Sequence, residues 1–342
     1  MQQSFKQNQE EISKHFIITE ENQGMRADIF LSKTLNLSRA KVQNLIHKQA
    51  ILLNSAPLQK YGIVLKAKDI LILNPLTQSL KNPTPKDFDI PILYEDTEIL
   101  VLNKPANLIV HSKNIEDSQF TLVDYLKEKG FQLSNLGDSN RLGIVHRLDK
   151  NTSGAIVIAK NNTAHQHLST QIKLRQMGRY YLCVITPSLK ESKIIELPII
   201  RHPKHRLKYI TATNNPNAKS AKTSFFTIPH LNDSNLVNHS LIGAKLFTGR
   251  THQIRVHLNA MNRHILGDGF YGYKGNYTGR ILLHAHFLHL LHPITQTPIE
   301  IYAPIPRDMQ DFLFTHFSLS SYLNPKNPNL LEIPLSKIYK EQ

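Results

Sequence analysis

The chain has 342 residues, enough for two domains or one large domain with an appendage, and 40% hydrophobic residues supply an ordinary soluble core. Its 41 Lys and Arg against 26 Asp and Glu leave a formal charge of +15, which points to a polyanionic partner, either nucleic acid or an anionic membrane surface. No stretch approaches the roughly 20 apolar residues of a spanning helix, and the opening MQQSFKQNQEEISKHF has no apolar signal-peptide core, so the membrane alternative loses its weight. The single cysteine, Cys183, lies in the apolar run YLCVI and cannot form an internal disulfide. Cytoplasmic residence is the simple expectation, and an apolar strand setting argues against a nucleophilic thiol.

Residues 1 to about 20 are polar and aperiodic and read as a flexible leader. A compact unit follows over 21–74. MRADIFLSKTL and SRAKVQNLIHKQ predict two short amphipathic helices, the second with Ser38 as N-cap and with Val42, Leu45 and Ile46 facing inward. AILLN and IVLKAKDILIL predict strands joined by a turn around Asn54 to Ala56. Residues 75–91 are proline-rich and short of apolar residues, the composition of a semi-rigid linker. From Ile92 to Phe314 short apolar runs alternate with polar turns, and DSQFTLVDYLKEKG and NNTAHQHLSTQIKLRQ are the clearest helices. That mixture predicts an α+β domain on one large, mixed, mostly antiparallel sheet. Residues 315–342, rich in Asn, Pro and Ser, read as a strapped-on tail.

The small unit is basic. Lys41 and Lys48 are seven apart on one face of the second helix, with Arg39 close by and Lys33, Lys60, Lys66 and Lys68 elsewhere. A solvated helix face explains any one of these charges; together they favour phosphate contacts, with Arg39, Lys41 and Lys48 the candidate RNA-binding residues. Here the segment resembles the small α+β RNA-binding module named after a small-subunit ribosomal protein, S4. The resemblance rests on Arg26 to Leu31, Leu37 to Ile46 and Leu53-Asn54; Gln49-Ala50 stand where that module usually has a glycine.

Three segments concentrate unusual polar residues: ILYEDTEILVLNKPANLIVHS, GIVHRLDKNTSGAIVIAK and LFTGRTHQIRVHLNAMNRHILGDGFYG. The second carries a His-Arg-x-Asp-Lys knot between apolar strands, and the third crowds Arg250, His252, Gln253, Arg255 and His257 into eight residues. Each alone is compatible with a stabilised loop. Together they read as a polar site with one carboxylate, several arginines and no second acid nearby in sequence. Paired-carboxylate hydrolysis and glycine-loop phosphoryl transfer are then disfavoured, leaving nucleophilic catalysis or electrostatic positioning by Asp149.

HRLDKNTSG is similar to the signature of the RluA family of RNA pseudouridine synthases, and GRTHQIRVH matches that family's later motif almost letter for letter. NKPANLIVH, RYYLCVI, RHPKHRLK, AKSAKT and ILLHAHFLHLLHP follow the same order, so the likeness spans about residues 25 to 314. It implies the pseudouridine synthase fold and isomerisation of specific uridines by a monomer without cofactor; the S4-like module makes large-subunit ribosomal RNA the expected substrate, with transfer RNA behind it. It further implies Asp149 as the attacking carboxylate, Tyr181 stacked on the base and aiding proton movement, Arg255 paired with Asp149, and Arg147 filling the RNA stack as the target flips out. His146, Arg250, His252, Lys104 and Thr152 are expected on the substrate surface. Asn107 stands where the family usually has glycine after Lys-Pro-Ala; asparagine tolerates a left-handed turn, so the bend is expected to survive.

Two other readings compete. His284, His286, His289 and His292 fall within nine residues, but no Cys or His-Glu-x-x-His pattern accompanies them, so structural histidines and no metal are expected. A non-catalytic RNA-binding or ribosome-assembly factor would bind RNA without isomerising it.

Overall fold

The computed structural model describes residues 14–35, 37–47, 51–58, 60–73, 89–112, 119–228, 238–324, 327–331 and 333–340. The chain divides into two compact units, Met1–Asn82 and Pro83–Gln342.

In the first unit, strand β1 (Lys14–Ile17) precedes helices α1 (Ala27–Thr34) and α2 (Arg39–His47) and strands β2 (Ile51–Leu53), β3 (Ala56–Pro57) and β4 (Ile70–Leu73). The strands form an antiparallel sheet in the order β1-β4-β2-β3. Ala27, Phe30 and Leu31 of α1 pack with Val42 and Ile46 of α2, three or four residues apart as one helix face requires, against Ile51, Leu65 and Leu71. Both helices stand where the periodicity predicts them. The expected leader is shorter than 20 residues: Lys14–Ile17 pairs with Leu73–Ile70, because Phe16 and Ile18 alternate into the core. The run IVLKAKDILIL is not one strand; Lys68 takes φ 72° in a turn, and only Ile70–Leu73 extends. Asn54 and Ser55 make the expected turn at φ 49° and 68°. Gln49-Ala50, Lys48 and linker positions 75–88 lie outside the described residues.

The second unit is built on a ten-stranded sheet. Its first strands are β5 (Ile92–Glu95), β6 (Ile99–Lys104), β7 (Ser153–Ala159), β8 (Gly178–Thr186) and β9 (Lys193–Ile195), with helices α3 (Leu122–Glu128) and α4 (Asn162–Lys173) between them. A separate hairpin joins β10 (Ile199–Arg201) and β11 (Tyr209–Thr211). The sheet continues with β12 (Thr223–Thr227), β13 (Ser240–Leu246), helix α5 (Gln253–Ala260), β14 (His264–Ile265), β15 (Leu283–Leu291) and β16 (Pro298–Tyr302). Its main order is β5-β6-β7-β15-β8-β13-β12-β9, with β14 on β8 and β16 on β15. Among the described strands of this sheet only the β7–β15 pairing is parallel, so the mixed, mostly antiparallel α+β sheet is as expected. The two predicted helices form with side-chain caps: Thr121 and Asp124 complete a capping box on α3, and Asn161 accepts from Ala164 N on α4 at 2.9 Å.

Strand alternation divides the core. On β8, Tyr181, Cys183 and Ile185 join one apolar cluster with α3 and α5, whereas Tyr180, Leu182 and Val184 join another on the opposite face. That second cluster includes Met309 and Leu313 of α6 (Arg307–His316) and then Phe317, Leu319, Tyr322, Leu331, Ile333, Leu335 and Ile338. The segment read as a tail is therefore part of the core: its polar composition hides apolar residues spaced to reach one sheet face. It holds a small hairpin, β17 (Leu323–Asn324) with β18 (Asn327–Leu331), and helix α7 (Leu335–Lys340).

One cross-sheet row positions the chemistry. Lys104 faces Gly154, Gly154 faces Ala285, Ala285 faces Tyr181, Tyr181 faces Ala244 and Ala244 faces Phe225. Gly154 has φ +119°, and a Cβ there would lie 2.3 Å from the Ala285 carbonyl oxygen. Gly154→Ala should therefore cost about 3 kcal/mol or more through strain and forced separation of β7 from β15, measured as a lowered urea midpoint.

Candidate active site

Asp149 follows the buried Leu148 in the loop that feeds β7, and its carbonyl accepts from Thr152 N at 3.1 Å to close a turn. Anchoring Leu148 in the core leaves Arg147 and Asp149 to line a small pocket of about 40 Å³, together with Thr152, Tyr181, Arg250, His252 and Arg255. Residues separated by more than 100 positions thus converge. The carboxylate keeps 17% exposure. Tyr181 forms one wall, flanked across the strands by Ala244 and Ala285. Burial pushes its hydroxyl pKa up to about 12, with Arg179 opposing and Asp149 reinforcing that shift.

Arg255 comes from the first turn of α5. Its Nη1 lies 3.4 Å from Asp149 Oδ2, while Nε and Nη2 donate to Asp268 Oδ2 and Oδ1 at 2.7 and 2.8 Å. Asp268 is buried and also accepts from Tyr271 N at 3.2 Å. The guanidinium lies 4.7 Å from the Tyr271 ring centroid. Burial opposes its charge, but the hydrogen bonds and field of Asp268, with the field of Asp149, raise its pKa above the ordinary value. No second acid is near Asp149 in sequence, but folding brings one to the site: Asp268 stands thirteen residues beyond Arg255 in the glycine-flanked GDGFYG. Nothing in that turn-like composition marks it as the arginine's principal partner.

The loop before α5 is held by Gln253, which accepts from Thr248 Oγ1 and Arg250 N at 2.8 and 2.9 Å and donates to Lys222 O and Thr223 Oγ1. His252, at φ +58°, pairs through Nδ1 with the Tyr271 hydroxyl at 2.9 Å. Burial lowers its pKa, so the neutral ring is favoured. Arg250 Nε donates to Ser220 O at 3.0 Å. Arg147 Nη1 donates to His111 Nε2 at 3.4 Å, since His111 Nδ1 gives its proton to Ser112 O.

Two expected substrate contacts are placed differently. Lys104 is fully buried, and its Nζ donates to Pro105 O, Leu108 O and Lys150 O at 2.7, 2.9 and 3.3 Å. Burial pushes its pKa down to about 7, while three acceptors match the three protons of its ammonium form. It ties the Asn107 turn, at φ +65° as expected, to the Asp149 loop; the strand-end lysine expected to bind substrate is closed over by both loops. His146 Nε2 accepts from Val157 N at 3.1 Å, and burial takes its pKa to about 3. In the first unit, Arg39 donates to buried Asp28 at 2.9 Å alongside Arg26, so its guanidinium also secures α1 to α2. Lys41 lies in α2, and Lys48 lies outside the described residues.

The histidine-rich strand is engaged with the backbone. His284 Nε2 and His286 Nδ1 both donate to Ala303 O, and His292 Nε2 donates to Asp96 Oδ2 at 3.0 Å. Among the described residues no three His, Cys, Asp or Glu side chains are grouped to hold a metal ion. Cys183 is buried, which raises its thiol pKa. No helix among the described residues is long and apolar enough to cross a membrane.

The family description RNA pseudouridylate synthase matches residues 98–260, the stretch carrying Asp149, Tyr181 and Arg255. An uncharacterized RNA pseudouridine synthase of Helicobacter pylori (strain ATCC 700392 / 26695) is 44% identical over 295 residues, covering 84% of this chain and 89% of its own. The chain belongs to the RNA pseudouridine synthase family. It is accordingly an isomerase that turns uridine in RNA into pseudouridine. Ribosomal large subunit pseudouridine synthase D of Xylella fastidiosa (strain Temecula1 / ATCC 700964) is 32% identical over 311 residues, 85% of this chain and 88% of that one. In fold, this synthase is similar to Human RNA Pseudouridylate Synthase Domain Containing 1, with a TM-score of 0.51 at 22% identity over 74% of this chain and 94% of that one.

Removing the Asp268 charge leaves the buried Arg255 guanidinium with only its looser partner. Asp268→Asn should lose about 3 kcal/mol of stability, read by denaturant titration, and should slow pseudouridine formation in protein that remains folded.

Proposed function

We propose that this synthase modifies specific uridines of large-subunit ribosomal RNA, with Asp149 acting as nucleophile or base on a flipped-out nucleotide. The observation that carries the reading is the convergence of Asp149, Tyr181 and Arg255 on one pocket with Arg147 and Arg250 in its wall. Isomerisation cuts the bond from ribose C1′ to uracil N1, turns the base and joins C1′ to C5; the C5 proton is lost and N1 gains one. Atoms balance within one nucleotide, so neither a redox partner nor a cofactor is required. The Asp149 carboxylate captures or deprotonates the sugar, while the Tyr181 ring holds the detached base and its hydroxyl assists proton movement. Arg255 orients the carboxylate, itself held by Asp268.

The target must leave the RNA stack to reach this pocket, and an arginine plane can take its place. Arg147 suits that role because its present hold on His111 is a single long hydrogen bond. His252, Arg250 and Thr152 border the base site, whereas Lys104 acts through the loops it braces and His146 both braces its loop and lines the adjoining cavity. The first unit is read as an S4-like RNA-binding module that supplies affinity through Arg39, Lys41 and Lys48. The chain is taken to work as a cytoplasmic monomer. The large-subunit assignment is favoured by relatives named for that substrate, among them those of Xylella fastidiosa and Buchnera aphidicola. Mapping pseudouridines in ribosomal and transfer RNA of cells with and without the gene tests it: loss should fall in large-subunit RNA, and loss confined to transfer RNA would reassign the substrate.

Two substitutions test the chemistry. Tyr181→Phe keeps the stacking face and removes the hydroxyl, so RNA binding should persist while the single-turnover rate falls about a hundredfold or more, the scale of one positioned acid–base group. Asp149→Asn is nearly isosteric but uncharged, and should bind RNA yet form no detectable pseudouridine at matched saturation. Retention of a few per cent of the parental rate would replace the nucleophile with a positioning role.

A further inference from the structure

Beside the Asp149 pocket lies a cavity of about 300 Å³ whose walls include Arg147, Arg179, Arg250 and His146. Six buried side-chain nitrogens among the described residues lack a hydrogen-bond partner, and three of them, His146 Nδ1, Arg147 Nε and Arg179 Nε, belong to these walls. All three are donors. Each arginine Nε carries a proton, and His146 must bear its proton on Nδ1 because Nε2 accepts from Val157 N. Buried donors of this kind are ordinarily satisfied, and a buried charge is ordinarily paired.

Arg179 is the extreme case. It is 5% exposed, and among the described residues no carboxylate lies within ion-pair distance of it. It projects from β8 two residues before Tyr181, hence on the same sheet face and about 7 Å along the strand. Its path is built for it: a Cβ at Gly249 would stand 2.8 Å from Arg179 Nη1. The glycine of the GRTHQIR segment therefore provides room for a guanidinium. Burial works against the cation, lowering its pKa. Such an arrangement costs the free protein stability and is relieved by an acceptor-rich anion.

We propose that Arg179 is the seat of a backbone phosphate of the RNA next to the flipped uridine, with Arg250 and the Nδ1–H of His146 completing the donor set. The proposal deepens and rests on the reading of this pocket as the uridine site. Arg147 lies in the same wall, so its move into the RNA stack opens the cavity to the chain as the target enters. Tyr181 then grips the base while Arg179, on the same strand, takes the charge that follows it.

The test uses the full-length chain with octauridylate as probe, measuring dissociation constants across a potassium chloride series together with thermal melting. Arg179→Met keeps volume and removes the charge. It should bind several-fold more weakly, reduce the salt slope by about 0.7, the share of one single-strand phosphate contact, and melt at or above the parent temperature. Arg179→Lys should keep the parental slope. A slope unchanged in the Met variant, or a Met variant that melts below the parent, overturns the proposal, because the guanidinium is then a structural strut. Incubation of the parent with RNA from cells lacking the gene is run in parallel. Absence of pseudouridine there defeats the functional reading by itself, and the salt measurement, which needs no turnover, remains decisive for the phosphate seat.

Discussion

The arrangement of this site depends on how the Arg255 guanidinium is divided between two carboxylates. Asp268 takes Nε and Nη2 in a short, paired geometry, leaving Nη1 for Asp149 at 3.4 Å. A planar fork held on one edge cannot rotate, so its remaining edge is aimed. The tight pair is fully buried, whereas Asp149 stays partly exposed. Asp149 thus has a fixed cationic neighbour without being consumed by it, the condition a carboxylate needs if it is to engage a substrate.

Supports radiate from that pair. Tyr271 donates its backbone N–H to Asp268, places its ring beneath Arg255, and meets His252 and Tyr209 N at its hydroxyl. Gln253 clamps the loop from Thr248 to Arg250. On the other side, Lys104 ties the turn at Asn107 to Lys150, one residue beyond Asp149. The Asp149 carboxylate therefore rests on a loop, but that loop is tied to β6 through Lys104 and to β7 through His146. Supporting shells of this type hold a reacting group within fractions of an ångström.

Donors without acceptors are collected at the same place. Satisfied networks brace Asp149, while Arg147, Arg179 and His146 hold unspent hydrogen-bonding capacity in the adjoining cavity. Unpartnered buried donors cost stability, and local violations of this kind are expected at functional sites. The +15 charge brings a polyanion to the surface in general; a buried unpaired guanidinium can select one phosphate.

Local order was legible because it depends on near neighbours. The helices α3 and α4, the apolar stripe of α2 and the left-handed turn at Asn107 follow from residues within a few positions. The family and the segments that meet in the pocket were likewise readable, since HRLD and GRTHQIR are contiguous strings. Composition misled at both ends: Phe16 and Ile18 were hidden in a polar leader, and the apolar residues after Phe317 in an Asn- and Pro-rich segment. Only the tertiary structure decided that Lys104 is sealed, that Asp268 is the main partner of Arg255, and that among the described residues no carboxylate pairs with Arg179. Those outcomes depend on which strands become neighbours across the sheet and how much water their closure expels. Contacts between residues tens to hundreds of positions apart leave no periodic or local mark in a single sequence.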